Sequence, residues 1–223
     1  MMNLIAIDTA LENCSVGLVA GERTVSRVRT IGRGHAEILM VEIAALFAEA
    51  GIRPDALDRI VVSVGPGSFT GLRVGIAAAR GLALVRHLPV VGLSTLAAHA
   101  YRASRLAADE RPILALLPGR GGEAFGQLFS ADGTPLETPS SRPATEFAAR
   151  ATAGGFAVAG AGAALLGPGF EPLHLDSAPA IETLLTLGAV LDPASHPPKP
   201  LYVKPPDAVP QAGARIARRC SIR

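Results

Sequence analysis

The chain has 223 residues, of which 49% are hydrophobic, and a formal net charge of +2. Such a chain can bury a substantial core, as one large domain or two small ones, and its near-neutral balance excludes a global electrostatic drive toward nucleic acid. Basic residues do gather at the end, where Arg215, Arg218, Arg219 and Arg223 are expected to form a solvated tail. Cys14 and Cys220 have no metal-site or disulfide spacing, and Cys14, inside an apolar run, is expected to be a small buried residue. There is no charged-then-apolar leader and no apolar run of membrane-spanning length, so a cytoplasmic protein with no membrane partner is expected.

In chain order, Leu4 to Asp8 is a buried strand ending in a carboxylate. Thr9 to Asn13 turn it, Cys14 to Val19 form a second strand, and Thr24 to Arg29 alternate as an edge-like third. His35 to Ala50 is a predicted helix with Ile38, Leu39, Val41, Ala45 and Leu46 as its core stripe and Gly51 as its stop. The β-branched run Ile60 to Val64 is a buried strand, followed by a helix over about 71–86. A short strand from Pro89 to Gly92 and a helix capped by Ser94 or Thr95 complete this part.

After Asp109 the pattern restarts more weakly. Ile113 to Leu117 and Glu123 to Phe129 are strands, Asp132-Gly133 is a hairpin turn, and a helix near 144–151, a strand at 156–159 and a helix at 178–191 follow. Pro193 to Pro206 is proline-dense, largely extended, and expected to pack back on the body. The division expected is 1–107 for the first half, carrying the interface helices, and 108–223 for a smaller, degenerate copy.

Between the fourth strand and its helix lies Gly65-Pro66-Gly67-Ser68. Pro66 presets a turn, the glycines permit positive φ and close backbone approach, and Ser68 or Thr70 caps the helix. A helix N-terminus behind a glycine turn is where phosphate binds, which makes Gly65, Gly67 and Ser68 phosphate candidates, together with Asp8 and Thr9. Both known glycine-loop patterns fit badly. Gly71 is followed by Leu72-Arg73 instead of Lys-Ser or Lys-Thr, and three residues separate Gly67 from Gly71. The alternative is a tight strand-to-helix connection.

Gly71, Gly75 and Ala79 lie four apart with Ala78 beside them, so one helix face is nearly bare. Glycine inside a helix costs up to about 1 kcal/mol relative to alanine, which implies a compensating close approach by a helix of the same domain or by a second subunit. The second is expected here, with Gly75 at its centre and Arg73 and Arg80 at its rim. No catalytic residue is expected. Ser63, Ser68 and Ser94 lie at strand or helix ends without evident His–Asp partners, and GxSxG is absent.

Residues 65–83 (GPGSFTGLRVGIAAARGLA), 4–19 (LIAIDTALENCSVGLV) and 201–211 (LYVKPPDAVPQ) resemble the TsaB family, accessory subunits of the bacterial tRNA threonylcarbamoyladenosine machinery. The likeness is close over most of 3–107 and thins afterwards. It implies an α/β, actin-like (ribonuclease H-like, ASKHA) fold of two tandem halves, the second degenerate. It also implies a non-catalytic subunit that binds and activates the transferase TsaD. Further partners implied are a TsaE-like ATPase, a second copy of the chain in a homodimer, and tRNA as substrate of the complex. No cofactor is required by the chain itself, with ATP expected only at the complex.

TsaD carries a HxxxH metal pair on the helix corresponding to His35–Ala50. Here the run is His35-Ala36-Glu37-Ile38-Leu39, so Leu39 stands where the second ligand would be, and no metal is expected. His35 is then a polar group near the helix start, and His35 and Leu39 join the expected interface set. In the second half Pro118 and Ala161 replace aspartates that relatives often carry. The alternative reading is a small actin-like ATPase or small-molecule kinase using Asp8, Thr9 and the glycine turn.

Overall fold

Apolar runs broken by glycine become the central strands of two sheets in the computed structural model, which describes residues 2–204. The first half comprises β1 (Leu4–Asp8), β2 (Asn13–Ala20), β3 (Arg23–Thr30), α1 (His35–Ala50), β4 (Arg59–Gly65), α2 (Phe69–Leu84), β5 (Val90–Ser94) and α3 (Thr95–Leu106). Its strand order is β3-β2-β1-β4-β5. β2 runs antiparallel to β1 and β3, while β1, β4 and β5 are parallel.

The second half contains β6 (Ile113–Pro118), β7 (Glu123–Phe129), β8 (Ser140–Pro143), α4 (Ala144–Gly154), β9 (Ala157–Ala159), a 3₁₀ turn (Ala161–Leu166) and α5 (Ile181–Val190). Its order, β8-β7-β6-β9, with β6 parallel to β9 and the other pairs antiparallel, repeats the first four strands of the first sheet. A helix separates the third and fourth strands in both halves, and the 3₁₀ turn follows β9 where α2 follows β4. This is the predicted α/β, actin-like architecture.

Alternation along β1 sorts the two faces of the first sheet. Ile5 and Ile7 pack with Leu39, Ile43, Leu46, Ile76 and Ala79 under α1 and α2. Leu4 and Ala6 pack with Ile181, Leu184 and Leu185 of α5. Chain position assigned α5 to the second half, but its packing puts it on the first sheet. α3 joins the halves, burying Leu96, Ala100 and Ala103 with Ile113, Ala115, Phe129 and Ala159.

The stripe on α1 is rotated from the predicted one. Leu39 and Leu46 are buried, but Val41 is exposed, and His35, Glu42, Ile43 and Phe47 line the inner face. Glu42 is tolerated there because Arg27 and Arg29 of β3 donate to its two carboxylate oxygens at 2.7 and 3.0 Å. These guanidinium groups hold the Glu42 carboxyl below the usual carboxylate range. Gly51 ends α1 at φ 73° with its N–H on the Phe47 carbonyl, as predicted. β8 was not predicted, since Ser140–Pro143 has no apolar alternation.

Beyond α5 the proline-dense segment packs back on the body. His196 O accepts from Gly92 N–H at 2.8 Å, and the Leu201 N–H donates to Val64 O at 2.7 Å. Pro205, Pro206, Cys220 and the basic tail residues lie outside the described residues.

Arg59, at the start of β4, caps α5 from the sheet side. Its Nη1 donates to Gly188 O, Ala189 O and Leu191 O at 2.9, 3.2 and 3.0 Å. A cation on the last carbonyls of a helix also opposes the negative end of its dipole. Arg59→Ala is expected to lower stability by about 1–2 kcal/mol in urea denaturation, and an unchanged midpoint would show that α5 is held by its apolar face alone.

Candidate functional site

The end of β1, the start of β2, the glycine turn and the start of α2 meet at one corner of the first sheet. Asp8, the last residue of β1, is 1% exposed. Its Oδ1 accepts from the Ala10 N–H at 2.9 Å and from the Ser63 hydroxyl at 2.5 Å. Oδ2 is buried with no partner among the described residues. Burial pushes the Asp8 carboxyl above the usual carboxylate range, opposed in part by those two hydrogen bonds and by His35. Thr9 is equally buried, and its hydroxyl donates to Gly71 O at 2.7 Å.

The glycine turn closes onto these residues. The Ser68 N–H donates to Ala10 O at 2.6 Å, and the Ser68 hydroxyl caps α2 by accepting from the Gly71 N–H at 3.2 Å. A Cβ on Gly67 would overlap Ala10 O, one on Gly71 would overlap Thr9 O, and one on Gly75 would overlap Thr9 Oγ1. Above Gly65 lies the returning C-terminal segment, with Leu201 O 3.2 Å from where a Cβ would sit. The backbone donors at Ser68 and Gly71, which a phosphate would use, are committed within the chain.

The predicted docking face is corrected by this packing. Gly71, Gly75 and Ala79 are buried against the turn after β1 and the sheet beneath, with Val62 and Ile7 also within 3.6 Å of a Cβ at Gly75. The compensating close approach is made within the domain. His35 and Leu39 are also buried, His35 Nε2 lying 3.2 Å from Asn13 O and Leu39 packing in the core. Ala78 is half-buried.

Arg73 alone of the predicted interface set is exposed. Its guanidinium lies 3.8 Å above the Phe69 ring, and its Nε donates to the Tyr202 hydroxyl at 3.1 Å. Arg80, at the predicted rim, donates to Pro198 O at 2.6 Å. Both arginines therefore fasten the C-terminal segment to α2.

Both helices, beside their exposed charged residues, also expose large apolar side chains. Met40 and Val41 of α1 are 53% and 65% exposed, and Leu84 with the adjoining Val85 are 74% and 84% exposed. The sequence carried a trace of it, since apolar residues occur all round α1 instead of in one stripe.

No group of three or more potential metal ligands occurs among the described residues. Nor is any described helix long and apolar enough to cross a membrane. In the second half Pro118 ends β6, exposed, and Ala161 begins the 3₁₀ turn with its N–H on Asp176 O at 3.1 Å. Gly162 lies against the Leu116–Leu117 backbone, so this turn sits directly on β6.

Two solved structures from Pseudomonas aeruginosa share this arrangement over nearly the whole chain. YeaZ is 30% identical, with a TM-score of 0.75, over 91% of this chain and 100% of its own. An uncharacterized protein with similarity to peptidase YeaZ is also 30% identical, with a TM-score of 0.76, over 92% of this chain and 100% of its own. The chain belongs to the TsaB (YeaZ) family.

Curated relatives agree. The tRNA threonylcarbamoyladenosine biosynthesis protein TsaB of Escherichia coli K12 is 34% identical over 131 residues, which are 59% of this chain and 56% of that one. TsaB of Haemophilus influenzae is 37% identical over 126 residues, 56% of this chain and 52% of that one. The match thus spans about half the length of these relatives. A family model described as TsaD, tRNA N6-adenosine threonylcarbamoyltransferase, matches residues 28–138, which include α1, α2 and α3.

Two outcomes follow from the packing of this TsaB-family corner. Gly75→Ala is expected to lower stability by roughly 1–3 kcal/mol through overpacking. Gly81→Ala, on the same helix with open space around it, is expected to raise it by up to about 1 kcal/mol. Thermal unfolding of both variants checks this, and a stabilised Gly75→Ala protein would reopen the docking reading of that face.

Asp8 has a raised folded-state pKa, so its contribution is full below the unfolded value and lost as pH rises through the folded one. Asp8→Asn removes the ionisation and keeps an acceptor oxygen. It is expected to be at least as stable as the parent protein at pH 7. A loss above about 2 kcal/mol, beyond the cost of one buried hydrogen bond, would mean the ionised carboxylate is needed.

Proposed function

We propose that this chain is a non-catalytic accessory subunit in the formation of threonylcarbamoyladenosine next to the anticodon of tRNA, and that it binds and activates a TsaD-like transferase. The observation that carries this reading is membership of the TsaB family combined with a first-half corner filled by the chain's own residues. Thr9 and Ala10 occupy the approach to the glycine turn, and Leu39 is a packed core residue beside the sole histidine of that run. A protein with such a corner contributes through its surface.

The surface is assigned to the outward aliphatic side of α1 and α2, carrying Met40, Val41, Leu84 and Val85. An accessory subunit needs a face whose apolar area is covered only in the complex. A second copy of this chain competes for the same face in the isolated protein, giving a homodimer that exchanges with the heterodimer. A TsaE-like ATPase and ATP belong to the assembled complex, tRNA is its substrate, and this chain itself holds no cofactor. The place of work is the cytoplasm.

The competing ATPase or small-molecule kinase reading needs Asp8 and Thr9 to face a nucleotide. Both are buried and engaged within the chain, which weighs against it.

Reconstitution tests the proposal. tRNA modification is expected to require this chain together with a TsaD-like subunit and to fail with either alone. Val41→Glu and Val85→Glu, both at exposed positions, are expected to leave folding intact and weaken binding to the partner tenfold or more, about 1.4 kcal/mol. Full modification without this chain would end the accessory reading. Unchanged affinity of both variants would move the interface elsewhere.

A further inference from the structure

α3 and the segment after the 3₁₀ turn meet through four polar side chains in an otherwise apolar junction. His99 of α3 is fully buried, and neither ring nitrogen has a hydrogen-bond partner among the described residues. Its ring stacks on that of His174, with centroids 5.3 Å apart and planes at 19°. His174 is itself 8% exposed, and its Nε2 lies 3.2 Å from His99 O. Its Nδ1 accepts from the Asp176 N–H at 3.3 Å. That pattern is one neutral tautomer, with Nε2 donating and Nδ1 accepting.

Arg102, one turn along α3 from His99, pairs with the Asp176 carboxylate at 2.8 Å, and the same carboxylate approaches His174 Nδ1 at 3.2 Å. Next to Asp176, the Ser177 hydroxyl donates to Glu12 in the turn after β1. Residues 173–176 are laced to the second sheet, the Leu173 N–H reaching Val158 O, the Gly160 N–H His174 O and the Ala161 N–H Asp176 O. One end of the cluster thus belongs to α3 and the other to the edge of the second sheet.

We propose that His99, Arg102, His174 and Asp176 form a proton-sensitive clasp at the junction of the two halves, closed while both imidazoles are neutral, and that on acidification the 173–176 segment lifts from α3 and from the edge of the second sheet before either sheet unfolds. A proton on His99 places a cation in the interior beside Arg102, with no acceptor facing either ring nitrogen. A proton on His174 Nδ1 gains the Asp176 carboxylate but turns an acceptor into a donor against the Asp176 N–H. Two stacked imidazoliums would also repel each other. The facing groups are therefore one arginine on α3, one aspartate on the segment, and Glu12 through Ser177.

The direction follows from burial. Burial, with His174 and Arg102 adding to it, pushes His99 down to about 3, and burial also lowers His174. Both folded values lie below the unfolded value of about 6.5. The clasp's stability is full above that pH and is lost as pH falls below it. His99 alone accounts for about a tenfold rise in the open population between pH 7.5 and 5.5.

Hydrogen exchange on the full chain tests this. Protection of the Gly160 and Ala161 amides, corrected for intrinsic exchange, is expected to fall about tenfold or more from pH 7.5 to 5.5, while Ile5 and Ile7 of β1 keep theirs. In His99→Phe, which keeps a stacked ring without a titrating group, the same fall is expected to shrink by about tenfold. Constant protection at Gly160 and Ala161, an equal loss in β1, or an undiminished fall in His99→Phe would each overturn the clasp. Imidazole chemical shifts of the parent protein give a reading that needs no variant. His99 is expected to stay neutral in the folded chain throughout this range, and titration of folded His99 near pH 6.5 would overturn the proposal.

Discussion

The turn after β1 and the first turns of α2 share one set of hydrogen bonds, and most of the first half is arranged around that junction. Thr9 donates to Gly71 O, the Ser68 N–H reaches Ala10 O, and Asp8 accepts from Ala10 and Ser63. Backbone can approach backbone so closely only because Gly67, Gly71 and Gly75 have no side chains. The contact sets the height of α2 above the sheet, and α1 then packs beside it over Ile5 and Ile7. A strand-to-helix turn that elsewhere offers its N–H groups to phosphate here offers them to its own neighbour. The same hydrogen bonds that engage these donors fix the geometry of the junction.

The proposed accessory role then rests on the outer surface of the same helices. On its inner face α2 combines the fit of its glycines to the β1 turn with burial of Leu72 and Ile76. Its outer face carries Leu84, while Val85 follows it and α1 carries Met40 and Val41.

Much of this was legible in residues. Strands β1, β4, β6 and β7 are apolar or β-branched runs closed by turn residues, and α1 is bounded as its pattern and Gly51 indicate. What was not legible is which partner meets a small-residue face, because glycine spacing records close approach and not the identity of the approaching chain. Buried charge was equally hidden. Glu42 lies on the inner side of α1 since Arg27 and Arg29 arrive from β3, a pairing 13 to 15 residues away that no local pattern shows. The rotated stripe, and with it the exposure of Val41, follows from that long-range neutralisation. β8 and the 3₁₀ turn were missed for a related reason: they are held by β7 and β6 and have little propensity of their own.

The two halves use one topology for different ends. In the first, a sixteen-residue helix follows the fourth strand; in the second, six residues of 3₁₀ turn follow β9 and lie directly on β6. That short element and α4 cover one face of the second sheet, burying Ala163, Leu166, Phe147 and Ala151 with Leu114, Leu116 and Val158. α3 covers the opposite face, burying Leu96, Ala100 and Ala103 with Ile113, Ala115 and Phe129. The second sheet is thus stabilised by a helix of the first half, while α5, from the far end of the chain, stabilises the first sheet in return. Each half lends the other a helix, so the junction between them is part of the core of both. That exchange is why a polar cluster on α3, set in this shared core, can couple the protonation of two imidazoles to the relation between the halves.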